Sequence, residues 1–207
     1  MADAAPTADA PEAEAPEPEL TEEERQRRAE ALAQVRTFGD PVLKSRASEV
    51  TEFGPDLEEE AERMVAIMRD ALGVGLAATQ LGVMRRMLVF QAGADATPTA
   101  VVNPQLEWLS EEKATAEEGC LSLPRVAVDV ERPLYARVSG LDVNGDPLTL
   151  EAAGLEARVL QHEIDHLDGV LILDRTPREQ RKAALRALRE GGSYAPPASD
   201  AEPEPAD

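Results

Sequence analysis

The clearest helical pattern in the chain lies between residues 56 and 73. The segment "DLEEEAERMVAIMRDALG" repeats its apolar residues at helical spacing: Leu57, Ala61, Met64, Val65, Met68 and Leu72. Asp56 can cap the first turn, and Gly73 ends the pattern. We therefore predict a helix whose Met/Leu stripe packs into the protein core.

Three further segments are predicted to be helical. Thr21 and Glu24 in "TEEE" match a capping box, which favours a helix over residues 22–35, and "FGDPVL" at residues 38–43 breaks it. A second helix is expected over residues 155–167, before Gly169. The third is expected over residues 177–190, with Pro177 in its first turn and Gly191 beyond its end.

The middle of the chain alternates between short β-prone runs and turn residues. Residues 86–91 and 100–106 read as strands, and two alternating stretches flank Asn144–Gly145, a strong hairpin signal. Strands and helices do not alternate regularly. The predicted fold class is therefore α+β, with antiparallel sheets around a central helix at residues 155–167 and a C-terminal helix.

Composition separates the two ends from the body. Residues 1–20 and 192–207 are rich in Ala, Pro and acids and lack the large apolar side chains that would offset the entropy of ordering. We expect both to be disordered acidic tails, with one catalytic domain at residues 21–191. Thirteen of the 20 net negative charges lie in residues 1–24 and 199–207, so the body is modestly acidic. That charge argues against broad binding to DNA or RNA.

Cysteine usage and the N-terminus bear on the compartment. Cys120 is the only cysteine, which fits a reducing compartment. The N-terminal stretch has neither the basic start nor the apolar run of a secretory signal, and no stretch approaches the length of a membrane span. We therefore expect a cytoplasmic protein with no membrane contact, and we expect a monomer.

The two histidines of the chain lie in "QHEIDH". On a helix, His162 and His166 project from the same face one turn apart, a spacing that can chelate one metal ion. Glu163 can reach a metal-bound water without being a ligand itself. This H-E-x-x-H arrangement is typical of metal-dependent hydrolases.

A catalytic metal site of this kind needs a third protein ligand. Glu179 and Glu190 are candidates, but both lie on the Arg-rich final helix. Cys120 in "EEGCLSLP" is the better candidate, because a thiolate binds such metals strongly. The Gly-rich stretch "GVGLAATQLG" (73–82) lets a backbone approach a ligand closely, yet it lacks the residues of a phosphate loop or a dinucleotide site.

Taken in order, "GVGLAATQ", "EGCLS" and "QHEIDH" resemble the three signature motifs of the peptide deformylase family, and the resemblance covers roughly residues 36–176. It implies a metal held by Cys120, His162 and His166. Glu163 is implied as the catalytic acid–base. The resemblance further implies that the Gln80 side chain and the backbone N–H of Leu121 stabilise the oxyanion, and that the backbone of Gly75 binds substrate. Glu118 and Arg132 occupy positions that pair and brace the cysteine loop.

The resemblance also implies the reaction, the metal and the partners. The expected activity is hydrolysis of the formyl group from N-formylmethionyl peptides, with Fe²⁺ in the site and Zn²⁺, Ni²⁺ or Co²⁺ as possible substitutes. The basic helix at residues 177–190 can contact the ribosome transiently. Two alternatives stay open at this point. One is an endopeptidase with a carboxylate third ligand, and the other is a metal- or ribosome-binding module without activity.

Overall fold

A computed structural model describes residues 20–93 and 95–197. Apart from Leu20 and residues 192–197, the two predicted tails lie outside the described residues. Residues 192–197 run beside the rest of the fold, and Tyr194 forms backbone hydrogen bonds there. The predicted domain boundary at residue 191 therefore falls inside the described part of the chain, and the division into domains stays a prediction.

The described residues form five α-helices. Four of them occupy the positions that the sequence patterns indicate, and the single turn α4 is an addition. The five are α1 (Glu22–Leu32), α2 (Pro55–Asp70), α3 (Gly154–Leu167), α4 (Ile172–Arg175) and α5 (Arg178–Glu190). The capping box of α1 is present, since the Thr21 hydroxyl accepts from the Glu24 backbone and Glu24 accepts from the Thr21 backbone. None of the described helices is long and apolar enough to cross a membrane.

Within residues 20–93 and 95–197, seven strands form two antiparallel sheets. They are β1 (Gly75–Ala77), β2 (Met87–Phe90), β3 (Thr99–Leu109), β4 (Lys113–Cys120), β5 (Leu123–Pro133), β6 (Tyr135–Leu141) and β7 (Pro147–Ala153). The larger sheet has the order β1-β2-β3-β6-β7, and β4 pairs with β5 in the smaller one. The α+β prediction is confirmed. The predicted hairpin is β6–β7, in which Gly145 takes a left-handed φ of 89° in the turn.

Two details of the predicted α2 helix are wrong. Its N-cap is Gly54, followed by Pro55 at the first helical position, so Asp56 lies inside the first turn and does not cap the helix. Leu72 was expected in the core stripe, but the helix ends at Asp70 and Leu72 adopts a left-handed φ of 60°. This turn directs the Leu72 side chain outward, where it is half exposed.

The position of α3 explains where the site forms. The helix packs against β1, β2, β6 and β7 of the larger sheet and against β5 of the smaller sheet. The apolar side of α3 is buried in the core between these elements. It consists of Ala157, Leu160, Ile164 and Leu167. Because both sheets contact α3, residues from distant strands meet beside its remaining face.

Candidate metal and catalytic site

The two histidines lie side by side on α3. Their ring centroids are 4.9 Å apart, with 66° between the ring planes, as expected for residues one helical turn apart. Burial lowers the pKa of His166 well below its usual value, and the positive charge on His162 acts in the same direction. His166 is therefore held neutral, which is the form of imidazole that coordinates a metal.

Cys120 reaches the histidines from the end of β4. Its Sγ lies 3.2 Å from His166 Nε2, and the candidate ligand atoms of Cys120, His162 and His166 all lie within 4.8 Å of one another. One thiolate and two imidazoles form a donor set that suits Zn²⁺ and neighbouring transition metals, and three protein ligands leave a coordination position open. The cluster therefore fits a catalytic metal ion.

A buried carboxylate orients one of the imidazoles. Glu118 Oε2 lies 2.9 Å from His162 Nδ1, which leaves Nε2 of that ring for the cluster. Arg132 donates to both oxygens of Glu118 at 2.6 and 3.0 Å, and also to Asp165 at 2.9 Å. Although burial opposes ionisation, the hydrogen bonds from His162 and Arg132 outweigh it and lower the pKa of Glu118 to about 2. Glu118 is thus a fixed anion behind the cluster.

Arg158 is part of this network, although none of the sequence motifs indicated it. It donates to Glu118 Oε1 at 2.7 Å and to the carbonyls of Val130 and Ala114 at 2.9 and 2.7 Å. Arg158 lies four residues before His162, so it shares the face of α3 that carries both histidines. A charged residue at this spacing on a largely buried helix is the signal that could have identified it.

Glu163 lies beside the histidines but is not one of the three clustered residues. Its side chain is buried, and Oε2 has no hydrogen-bond partner among the described residues. Burial raises the pKa of Glu163 to about 7, against the opposing positive charges of His162 and Arg132. A carboxyl group with this pKa can both accept and return a proton near neutral pH.

The Gly-rich stretch forms the other side of the site. A Cβ at Gly75 would lie 2.8 Å from Cγ and Cδ of Glu163, so only glycine fits there without displacing that side chain. The Gln80 side chain is nearly inaccessible. Its Oε1 accepts from the Ala77 backbone at 2.9 Å, and its Nε2 donates to Ser122 Oγ at 3.3 Å and lies 3.8 Å from Cys120 Sγ. The amide N–H₂ of Gln80 therefore faces the cluster.

The site opens into a cleft of about 1240 Å³. The cleft is lined by six of the residues predicted for the site: Gly75, Gln80, Cys120, Leu121, His162 and Glu163. The exposed apolar side chains of Leu72, Val74 and Leu155 lie around the same cleft. All seven residues predicted for the site are thus brought together, six of them at or beside the cleft and His166 within the cluster.

Antiparallel sheets around a helix with an H-E-x-x-H motif, next to a cysteine and an open cleft, define a metal-dependent hydrolase. Residues 32–182 match the family model described as polypeptide deformylase. The chain belongs to this family, whose enzymes hydrolyse the N-terminal formyl group of nascent polypeptides.

Individual relatives agree with the family model. The chain is 46% identical over 160 residues to peptide deformylase of Acidothermus cellulolyticus, covering 77% of this chain and 87% of the relative. It is 47% identical over 161 residues to peptide deformylase 1 of Corynebacterium glutamicum, covering 77% and 95%.

Solved structures of the family share the fold. A peptide deformylase from Synechococcus elongatus in complex with actinonin aligns with a TM-score of 0.71 and 38% identity, covering 77% of this chain and 88% of that one. The Thermotoga maritima enzyme aligns with a TM-score of 0.67 and 45% identity, covering 69% and 96%. The mixed arrangement of helices and antiparallel sheets agrees with both.

Proposed function

We propose that this protein deformylates N-formylmethionyl peptides with a metal ion held by Cys120, His162 and His166. The observation that carries the proposal is the approach of a thiol and two imidazoles to within 4.8 Å, beside the buried Glu163. When bound, a divalent metal polarises the formyl carbonyl and lowers the pKa of a bound water to about 7. Residues 21–191 are proposed as the single catalytic domain.

Glu163 is proposed to move the proton. Its unpartnered Oε2 can accept a proton from the attacking water and pass it to the nitrogen of the departing amine. The products are formate and a peptide with a free N-terminus. A positioned acid–base group of this kind contributes about 10²–10⁴ in rate, so Glu163→Gln should lose that factor.

Gln80, Leu121 and Gly75 are proposed to hold the substrate and the charge that develops on it. The Gln80 amide is locked by Ala77 and Ser122 and donates to the oxyanion together with the backbone N–H of Leu121. Removing such a donor costs about 10²–10³ in turnover. The backbone N–H of Gly75 binds the substrate chain, at a position where the missing Cβ leaves room for Glu163.

The proposed ion is Fe²⁺, with Zn²⁺, Ni²⁺ or Co²⁺ as substitutes, since a Cys/His₂ set accepts all four. The proposal is tested by measuring formate release from formyl-Met-Ala-Ser, with metal analysis, on protein purified without oxygen and loaded with each ion. Activity with one bound ion per chain is expected. Absence of formate with every ion would overturn the proposal.

Cys120→Ala separates this function from an endopeptidase with a carboxylate ligand. The deformylase proposal predicts loss of both bound metal and formate release. The endopeptidase alternative predicts that metal is retained and that internal peptide bonds are cleaved. Glu179→Gln on α5 is the matched control, and it should keep both metal and activity.

We also propose that α5 makes transient contact with the ribosome in the cytoplasm, with the protein acting as a monomer. The helix packs through Ala184 and Gln180, while its basic side chains are exposed: Arg178, Arg181, Lys182, Arg186 and Arg189. A basic face of this kind favours binding to phosphate backbones. The proposal is tested by co-sedimentation with ribosomes. We expect binding that weakens as the salt concentration rises and that is lost when Arg178, Lys182 and Arg189 are replaced by Gln. Co-sedimentation unchanged in that variant would contradict it.

A further inference from the structure

The β4–β5 hairpin changes register next to Cys120. Pairing is regular from Lys113↔Pro133 to Gly119↔Ala127, and then Cys120 pairs with Leu123. Residues 124–126 of β5 therefore have no partner on β4 and form a bulge. Arg125 in this bulge takes a left-handed φ of 59°, which is uncommon for a residue with a side chain. Bulges concentrate beside active sites, where they end regular pairing.

The chain beyond α5 fills the open side of this bulge. We call residues 191–197 the C-terminal strap. Tyr194 donates its N–H to the Arg125 carbonyl at 2.9 Å, and its own carbonyl accepts from Ala127 at 2.8 Å. The Arg125 side chain donates to the Gly191 carbonyl at 2.6 Å. The strap is thus an additional short stretch of strand along β5, with Tyr194 parallel to Val126.

Tyr194 anchors the strap through its side chain as well. It packs against the apolar cluster of β5, α4 and α5, and Cys120 packs against the same cluster. Within the described part of the chain, the hydrogen bonds that hold the strap involve Gly191, Gly192 and Tyr194. The strap therefore has an anchored half, residues 191–194, and an outer half, Ala195–Pro197.

The outer half lines the same cleft as the catalytic residues. The lining of the cleft includes Ala195, Pro196 and Pro197 together with Leu32 of α1 and Val74. Residues 193–197 lie beyond the part of the chain that matches the family model, which ends at residue 182. This wall therefore lies outside the range that the family model covers.

The size of the cleft indicates what the wall contacts. Sites for drug-sized ligands have volumes of about 300–1,000 Å³, and this cleft of about 1240 Å³ has room for more than a formylmethionine. Tyr194 pairs with β5 beside Ala127, which in turn pairs with Gly119 of β4. At this point the strap is about two strand spacings, or about 10 Å, from β4. An extended peptide covers that distance in about three residues.

We propose that Ala195–Pro197 bind the third and later residues of the formylated substrate and so set a preference among substrate sequences. The inference rests on the proposed deformylase function. The outer half has no charged side chain, and its two prolines have no backbone N–H. The wall therefore favours apolar and small side chains at these substrate positions.

Two truncations test the contact. Chains ending at residue 194 and at residue 197 both keep the Tyr194 anchor, but only the second keeps the wall. For each, kcat/KM is measured on the amides of formyl-Met-Ala and formyl-Met-Ala-Ser-Ala. The ratio of long to short substrate is expected to fall at least about threefold in the chain ending at 194, through a higher KM for the long substrate. Equal ratios in the two chains would overturn the inference.

Charge substitutions at the exposed Ala195 test it without removing any residue. For each variant, kcat/KM is measured on the amides of formyl-Met-Ala-Asp and formyl-Met-Ala-Lys. Ala195→Lys should raise the ratio of kcat/KM for the Asp substrate to kcat/KM for the Lys substrate, and Ala195→Glu should lower this ratio. The expected change is about 1.4- to 5-fold each way at low ionic strength, the range of exposed ion pairs. Ratios that do not move would overturn the inference. If the full chain loaded with metal releases no formate from any substrate, the proposed function itself fails.

Discussion

Gly75 and Glu163 show how one residue's size sets the geometry of another. Gly75 lies in β1 opposite Phe90, and its missing Cβ leaves the space that the Glu163 carboxyl group occupies. Glu163 is buried, and its Oε2 has no hydrogen-bond partner in the described part of the chain. The position of this oxygen therefore depends on a glycine 88 positions earlier in the chain.

Gly75→Ala should reduce kcat by about 10²-fold or more, because a displacement of about 1 Å in a catalytic group has that effect. Bound metal should be retained, since the three atoms nearest to the added methyl group all belong to Glu163, which is not one of the three clustered residues. Steady-state kinetics and metal analysis check both. Gly54→Ala is the control, because a Cβ at that extended position meets nothing within 4 Å. A full wild-type kcat in Gly75→Ala would contradict the account.

Glu118 gives a prediction about pH. Its pKa is about 2 in the folded protein, against an ordinary value of 4.5. Because folding lowers this pKa, the ionised Glu118 stabilises the folded protein at pH values above about 4.5. That stabilisation is lost as the pH falls from about 4.5 towards 2. In metal-free protein, the free energy of unfolding should therefore fall more steeply over this window in the wild type than in Glu118→Gln. Urea titrations at several pH values measure it, and equal slopes would contradict the burial and pairing described for Glu118.

At the scale of elements, β5 brings a buried guanidinium to the back of the site. Arg132 pairs with Glu118 and Asp165, and the side chains of Arg132 and Glu118 are each only 5% exposed. Arg137 on β6 pairs with Glu151, but these two side chains are 50% and 64% exposed. Two arginine–carboxylate pairs in one protein thus differ mainly in burial.

Arg132→Met should lower the free energy of unfolding by about 3 kcal/mol, because it removes the buried guanidinium between Glu118 and Asp165. Glu118 then keeps only Arg158 and His162 as partners, and Asp165 keeps only Arg175, among the described ion pairs. Arg137→Met should cost less than about 1 kcal/mol, since exposed pairs contribute little. Chemical denaturation of both variants tests the difference. Similar losses in the two variants would show that burial does not govern the strength of these pairs.

The elements also show what the sequence could and could not predict. Helix α3 was predicted because its signal is local: apolar spacing, the His-x-x-x-His interval and Gly169 all lie within one segment. The pairing of β4 with β5 was not predicted, because β4 is largely exposed and its one buried side chain is the charged Glu118. The two arginines that bind the Glu118 side chain, Arg132 and Arg158, lie 14 and 40 positions further along the chain.

The strap was missed for a related reason. "GSYAPP" has the composition of a disordered tail, and its hydrogen bonds depend on an irregularity in β5 that no local pattern reveals. Leu72 was misplaced because helical spacing predicts a face but not the residue at which the helix ends. The residues of the site were predicted from motifs and a family resemblance, whereas the distances between them come from tertiary packing.

At the scale of the whole molecule, the site lies where three apolar clusters meet. Leu121 packs on the cluster around α2, Ile164 belongs to the cluster around α3, and Cys120 packs on the cluster of β5, α4 and α5. Each part of the site is therefore held by a different part of the core. The central claim is that this packing brings one sulfur and two imidazole nitrogens, distant in sequence, to a single cation.

X-ray absorption spectroscopy of the zinc-substituted protein measures the metal's ligands. One sulfur at about 2.3 Å and two imidazole nitrogens at about 2.0–2.1 Å are expected, and the sulfur contribution should be lost in Cys120→Ala. A metal shell made only of nitrogen and oxygen in the unsubstituted chain would contradict the central claim.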